Sequence, residues 1–216
     1  MHLASIHVGR PRAVSWQGKT LQTAIFKERA GGPVRAAFGR LEGDESAHKE
    51  VHGGEYSAAY SYASEHYAFW RAELARAELA PAAFGENLST VGLDEAEVCV
   101  GDRYRFGEVL LQATQPRIPC AKLEMATGTP GMIERFSASG RWGIYWRVLE
   151  EGVLREGDRI ECVSVDPARL PMSLFYDYES APRALLEATL EHEALHPMWR
   201  KRIRQRLNKQ DEGPSN

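Results

Sequence analysis

The segment Gln115-Pro116-Arg117-Ile118-Pro119-Cys120-Ala121-Lys122 places a thiol where a core cysteine is rarely put. Before it, Glu108–Thr114 is short, apolar and bounded by Gly107 and Pro116, so it reads as a strand. Pro116 and Pro119 each lack a backbone N–H donor, which argues against continuing the sheet ladder past Thr114. Cys120 therefore follows a strand exit on a backbone stiffened by proline. Arg117 and Lys122 are close in sequence, and positive charge favours the thiolate, the form that attacks electrophiles and ligates metals. A half-buried structural cysteine and a reactive or ligating thiol both satisfy this pattern.

Two further stretches carry candidate chemistry. In Val51-His52-Gly53-Gly54 the paired glycines reach φ > 0 and let backbone N–H groups meet an oxyanion, while His52 could donate a hydrogen bond or shuttle a proton. A plain turn explains the same residues. His48 lies four residues before His52, but no third ligand is near and the segment is not helical, so a zinc site is rejected. In Phe84-Gly85-Glu86-Asn87-Leu88-Ser89-Thr90, the Asn87 amide and the hydroxyls could line a pocket or satisfy their own backbone. Glu191-His192-Glu193 and His196 read as an exposed polar face, and Trp142 and Trp146 as core or pocket wall.

The elements that must hold these residues are mostly strands. Short alternating runs at Leu3–Val8, Lys19–Phe26, Val34–Leu41, Ser57–Tyr62, Val98–Phe106, Gly143–Leu149 and Arg159–Val165 argue for a mainly β, α+β fold built on a barrel. Gly101-Asp102 and Gly157-Asp158 read as turns feeding new strands. Two helices interrupt them: Glu65–Leu79, capped by Ser64, with Tyr67, Trp70, Leu74 and Ala77 on one stripe and Arg71, Glu73 and Arg76 facing water; and a shorter one from Thr129-Pro130 to Gly140. The barrel spans residues 1–168. Residues 169–210 form a small three-helix unit (Leu170–Tyr178, Pro182–Glu191, Pro197–Leu207), and 211–216 a disordered tail. Such a small unit must pack on the barrel or on a second subunit, giving a homodimer.

Composition narrows the function classes. The 216 residues are 43% hydrophobic with a formal charge of −3, which excludes general disorder and an overall nucleic-acid footprint. The basic run Arg200–Lys209 reads as a solvated helix face. Three dispersed cysteines, Cys99, Cys120 and Cys162, give no Cys-x-x-Cys pair and no iron–sulfur cluster; Cys99 and Cys162 read as small apolar residues inside strands. Flavin, nicotinamide, P-loop, nucleophile-elbow and His-Glu-x-x-His fingerprints are missing. With no secretory signal and no apolar run long enough for a bilayer, the expected setting is a reduced cytoplasm without membrane contact.

Taken in order, Leu41-Glu42-Gly43-Asp44, Val51–Gly54, Phe84–Thr90, Val100-Gly101-Asp102 and Gln115–Cys120 resemble the MOSC domain family, named for the C-terminal domain of molybdenum cofactor sulfurases. The resemblance is closest to its stand-alone, YiiM-like branch and covers nearly the whole chain, since that branch also ends in three helices. It implies a β-barrel that binds the molybdenum cofactor, a pterin dithiolene carrying a phosphate. Cys120 is then the molybdenum ligand or a sulfur carrier, with Arg117 and Lys122 as the basic positions around it. His52, Gly53, Gly54, Asn87 and Ser89 become cofactor-pocket residues, with His52 as a proton source. The implied activity is reduction of N-hydroxylated compounds such as hydroxylaminopurines, with electrons from a separate reductase, for which Arg200–Lys209 is the expected docking face. The alternative is a carrier of the cofactor or of a persulfide; the pyridoxal-phosphate desulfurase domain of true sulfurases does not fit in this chain. One departure is visible: the family often has Lys or Arg three residues after the glycine pair, where this chain has Ser57.

Overall fold

The structure is a computed structural model that describes residues 1–46 and 54–211. Six of the expected strands, with Leu88–Val91, which was not expected as one, form one sheet: β1 (His2–Val8), β2 (Ala59–Ala63), β3 (Leu88–Val91), β4 (Arg103–Phe106), β5 (Val109–Pro116), β6 (Ile144–Glu150) and β7 (Ile160–Ser164); the expected runs at Lys19–Phe26 and Val34–Leu41 pair in smaller sheets instead. Their hydrogen-bonded order is β7-β4-β5-β6-β2-β3-β1, with Glu28–Arg29 beside the end of β1. Pairing is antiparallel except between β2 and β3, where Ser61 lies opposite Leu88. A parallel pair needs a crossover, and α1 (His66–Glu73) lies in it. The sheet closes on itself: His2 bridges Arg159, the Leu3 amide donates to the Asp158 carbonyl at 2.9 Å, and the Ile160 amide to that of Met1 at 3.0 Å. Closure protects the outer strands and makes the expected barrel. Its interior is filled by Leu3, Ile6, Phe106, Leu111, Trp146 and Val148.

The site-bearing strand differs from expectation at its end. β5 does not stop at Thr114 but pairs through Pro116, which faces Ile144. The register shifts between Ala113 and Gln115, a bulge at Thr114 whose hydroxyl lies 2.7 Å and 3.0 Å from the Tyr56 and Tyr145 carbonyl oxygens. Beyond it the period of two puts Gln115 and Arg117 on one face. Further along the chain, the expected Val98–Phe106 strand is broken by Gly101-Asp102. Gly101 has φ +94°, and buried Asp102 accepts from the Cys99 amide at 2.9 Å and the Asp166 amide at 2.7 Å. That turn is structural, as expected. Cys99 is buried, but Cys162 is exposed on β7, contrary to its reading as an apolar strand residue.

The helices are shorter than their patterns. α1 ends at Glu73, before Ala75 in a left-handed conformation (φ +51°); Ser64 does not cap it, Ala77 is exposed, and Arg76 turns from water to bond the Thr127 carbonyl. Helix α2 (Lys122–Thr127), directly after Cys120, was not expected. Left-handed glycines Gly131 and Gly140 bound α3 (Met132–Ser139), so Thr129-Pro130 precedes the helix instead of opening it.

In the C-terminal region, Leu170-Pro171 pairs with Cys99-Val100 and leads into a 3-10 turn, Met172–Phe175, where a helix was expected. Helices α4 (Arg183–Leu190) and α5 (Pro197–Asp211) follow. Phe175, Leu186, Trp199 and Ile203 join the same apolar core as Val100, Leu111 and Trp146, so this unit is packed on the barrel. Its histidines do not lie on a free polar face. His192 Nε2 is 3.0 Å from Asp166 Oδ1, and His196 Nδ1 accepts the Met198 amide at 3.0 Å, capping α5. The basic run is likewise partly spent: Arg200 donates to the Leu190 and His192 carbonyls and Arg206 to that of Glu179, leaving Lys201, Arg204 and Lys209 exposed. Among the described residues, no helix is long and apolar enough to cross a membrane.

Candidate active site

A cavity of about 370 Å³ opens where β5 leaves the sheet. Gln115 and Arg117 reach it from the end of β5, and Cys120 and Lys122 from the turn into α2. Tyr60 of β2 and Tyr145 of β6 form a wall: they are register partners, and their rings lie 5.0 Å apart. The lining is completed from the chain's two ends, with Ile25 and Lys27 from the N-terminal region and Met198 and Arg202 from α5. Asn87 also lines the cavity. Its Oδ1 accepts the Tyr60 amide at 3.1 Å and its Nδ2 donates to the His7 carbonyl at 3.1 Å, so it staples β2 to β1 as it lines the cavity. Gly85 is required there: its φ is +76°, and a Cβ would stand 2.8 Å from Ile25 Cγ1.

Electrostatically the cavity is cationic. Arg117 is 6% exposed, donates to the Phe84 carbonyl, and lies 5.1 Å and 5.9 Å from the Tyr60 and Phe136 ring centres. Burial disfavours its charge, but the Tyr60, Tyr145 and Cys120 side chains favour it more, and its pKa is raised above the ordinary value. Lys122 is half-buried; burial and Arg117 lower its pKa, against the pull of Cys120. Burial raises the Tyr60 and Tyr145 phenols, which keeps both neutral. Lys27, lowered by burial, is paired with Asp44, which also accepts the Gly9 amide at 2.8 Å. Arg117, Lys122 and Arg202 have no carboxylate within ion-pair distance among the described residues. Gln115 Oε1 is buried without a hydrogen-bond partner, while its Nε2 donates to Ser57 Oγ at 3.3 Å. This set of a half-exposed soft thiol, unpaired cations and an open amide acceptor suits an anionic, polar ligand with affinity for sulfur donors.

Four of the residues singled out in sequence, Cys120, Arg117, Lys122 and Asn87, meet in this cavity. Ser89 does not: it is fully buried and donates to Glu86 Oε1 at 3.2 Å, because β3 turns it inward. Gly54 (φ +82°) lines an adjoining groove instead. His52, Gly53 and His48 lie outside the described residues. Ser57 lines the cavity where a basic residue was missing in the motif, and Lys27 and Arg202 bring charge from other elements. Lys27, Tyr60, Tyr145 and Met198 carried no motif and were not foreseen; Gln115 lay in the cysteine motif without an assigned role, and Arg202 was read as part of a solvated basic face. The same-face spacing of Gln115 and Arg117 was the one available signal.

Comparison with known proteins fits this geometry. The MOSC domain model matches residues 48–161, which hold Cys120, Arg117, Lys122 and Asn87. Protein YiiM of Escherichia coli (strain K12) is 35% identical over 190 residues, covering 84% of this chain and 85% of its own. A Gibberella moniliformis protein named "Reductase" is 37% identical over 161 residues; these cover 73% of this chain but 28% of that longer protein. The crystal structure of YiiM from Geobacillus stearothermophilus superposes with a TM-score of 0.79 at 30% identity, over 95% of this chain and 98% of that one. Motif, barrel and cavity thus converge on one assignment: the chain belongs to the MOSC domain family and is YiiM-like in sequence and fold.

Proposed function

We propose that this cavity binds the molybdenum cofactor and that the protein reduces N-hydroxylated compounds, such as hydroxylaminopurines, with electrons from a separate reductase. The observation that carries this reading is Cys120, a half-exposed thiol in a cavity that also holds the carboxylate-free cations Arg117 and Lys122. Cys120 Sγ would be the soft donor for molybdenum, Arg117 and Lys122 would offset the negative charge of dithiolene and phosphate, and the unpaired Gln115 Oε1 would be available to accept a hydrogen bond from the group. The bound group supplies two-electron chemistry toward the N–O bond. Tyr60 and Tyr145 exclude water from one side and orient a flat substrate. Lys122 Nζ, in the same cavity as the thiol, delivers a proton there. The balance is R–NHOH plus two protons and two electrons to R–NH₂ plus water. The electrons come from a partner, since the chain carries no flavin or nicotinamide fingerprint; exposed Lys201, Arg204 and Lys209 are where an acidic reductase would approach. The setting is cytoplasmic.

The relative named reductase supports a redox role over a purely structural one. A half-exposed thiol equally suits a carrier of cofactor or persulfide sulfur. The two are separated by assaying hydroxylaminopurine reduction with an artificial reductant. Cofactor-loaded protein should turn over repeatedly, and Cys120→Ser should not; loaded protein without turnover leaves the carrier role.

A further inference from the structure

The cavity has two halves of different origin. Cys120, Arg117 and Lys122 lie inside the segment matched to the family, whereas Lys27, Met198 and Arg202, which line the same cavity, lie outside it. Of these three, Lys27 is neutralised by Asp44. Arg202 is not neutralised. It has no carboxylate partner among the described residues; it hydrogen-bonds the Tyr178 side chain, and its guanidinium carbon lies 5.5 Å from the ring centre of Trp199, itself 1% exposed, which leaves further N–H donors for a ligand. Trp199 is anchored by Phe175 at 4.8 Å and Tyr178 at 5.3 Å, so the helix that presents Arg202 is fixed to the barrel core. Met198, one turn before Arg202 on the same helix face, adds an apolar, polarizable contact to the same wall. A guanidinium without a carboxylate partner, beside an apolar side chain in a cavity that two tyrosines also line, matches a flat heterocycle that carries an anionic group.

We infer that α5 is the substrate-selecting wall of the cavity, with Arg202 recognising an anionic group, a phosphate above all, on the substrate. Building on the activity proposed above, the preferred substrates are N-hydroxylated nucleotides and not the free bases. Arg202 is a specificity residue and takes no part in the redox step, so its loss affects recognition of the phosphate and spares the reaction at the N–O bond. Arg117 and Lys122, neighbours of the thiol in sequence, are the cations assigned to the cofactor, and Arg202 is assigned to the substrate.

The experiment uses the full-length protein prepared with its cofactor, as wild type, Arg202→Ala and Arg202→Lys. Calorimetry measures binding of adenosine monophosphate and of adenine, and kinetics measure reduction of the corresponding hydroxylamino nucleotide and base. Wild type should bind the nucleotide more tightly than the base. Arg202→Ala should weaken nucleotide binding and raise its KM roughly ten- to hundredfold, the range for losing one charge-assisted hydrogen bond. Base binding should change much less than nucleotide binding, and Arg202→Lys should restore part of the nucleotide preference. Equal binding of nucleotide and base by wild type overturns the inference. So does an equal effect of Arg202→Ala on both ligands, or a loss of bound cofactor without a change in discrimination. If nucleotide discrimination is present but neither compound is reduced, the proposed activity fails while the recognition by Arg202 stands.

Discussion

Arg117→Met should separate ligand retention from folding. The Arg117 guanidinium is buried among aromatic rings, with the Phe84 carbonyl as acceptor and no counter-ion among the described residues. Removing it leaves that carbonyl unpaired, a loss of about 1–3 kcal/mol. Forfeiting the ring contacts adds about 0.5–2 kcal/mol. Against this, burial by itself disfavours the charge and must be offset by the surrounding side chains, whereas methionine needs no such offset while filling a similar volume. The ligand-free variant should therefore lie within about 2 kcal/mol of wild type or be more stable. Binding of the anionic cofactor should fall by about 1.5–3 kcal/mol, or roughly ten- to hundredfold. Thermal unfolding of cofactor-free protein measures the first quantity, and pterin retained through dialysis measures the second. A variant that loses more than about 4 kcal/mol of stability yet retains cofactor like wild type would show that Arg117 is a structural cation and refute the electrostatic reasoning.

Cys120→Ser should lose molybdenum and activity with an unchanged Tm, whereas Cys162→Ala, at an exposed position on β7, should change neither; activity in Cys120→Ser removes the ligand assignment. Trp199→Ala should destabilise the fold by about 3–5 kcal/mol, because the ring fills the core shared by α5 and the barrel; denaturant titration checks this, and a loss under 1 kcal/mol contradicts the shared core. His196 should make stability fall with acid. Burial lowers its pKa from 6.5 to about 4, and its neutral Nδ1 caps α5, so the unfolded chain takes up the proton first. The contribution is complete above pH 6.5 and declines as pH falls toward about 4, the window set by that shift. Unfolding curves across this window should be flatter for His196→Gln, and identical slopes would place the acid sensitivity elsewhere.

The barrel was legible because its strands alternate and are separated by glycine turns, and because Gly101-Asp102 carries a local mechanism, a buried carboxylate bonding two amides. The thiol side of the cavity was legible for the same reason: Arg117, Cys120 and Lys122 are neighbours in sequence. The other side was not, since Lys27, Tyr60, Tyr145 and Arg202 come together only through tertiary packing. Local patterns also misled. The apolar stripe of Glu65–Leu79 ran on past a chain reversal at Ala75, and Ser89 shared a polar run with Asn87 although strand geometry turns it to Glu86. His192 and His196 looked like polar surface because their partners, Asp166 and the start of α5, are set by how the helices dock.

The central claim is that Cys120 and its cations hold a molybdenum-bearing pterin. The direct measurement is metal analysis, with fluorescence detection of oxidised pterin, on wild type and Cys120→Ser made in a cofactor-producing host. The account requires molybdenum and pterin in equal, near-stoichiometric amounts in wild type and loss of molybdenum in the variant. Molybdenum without pterin, or both groups bound equally well without the thiol, would contradict it.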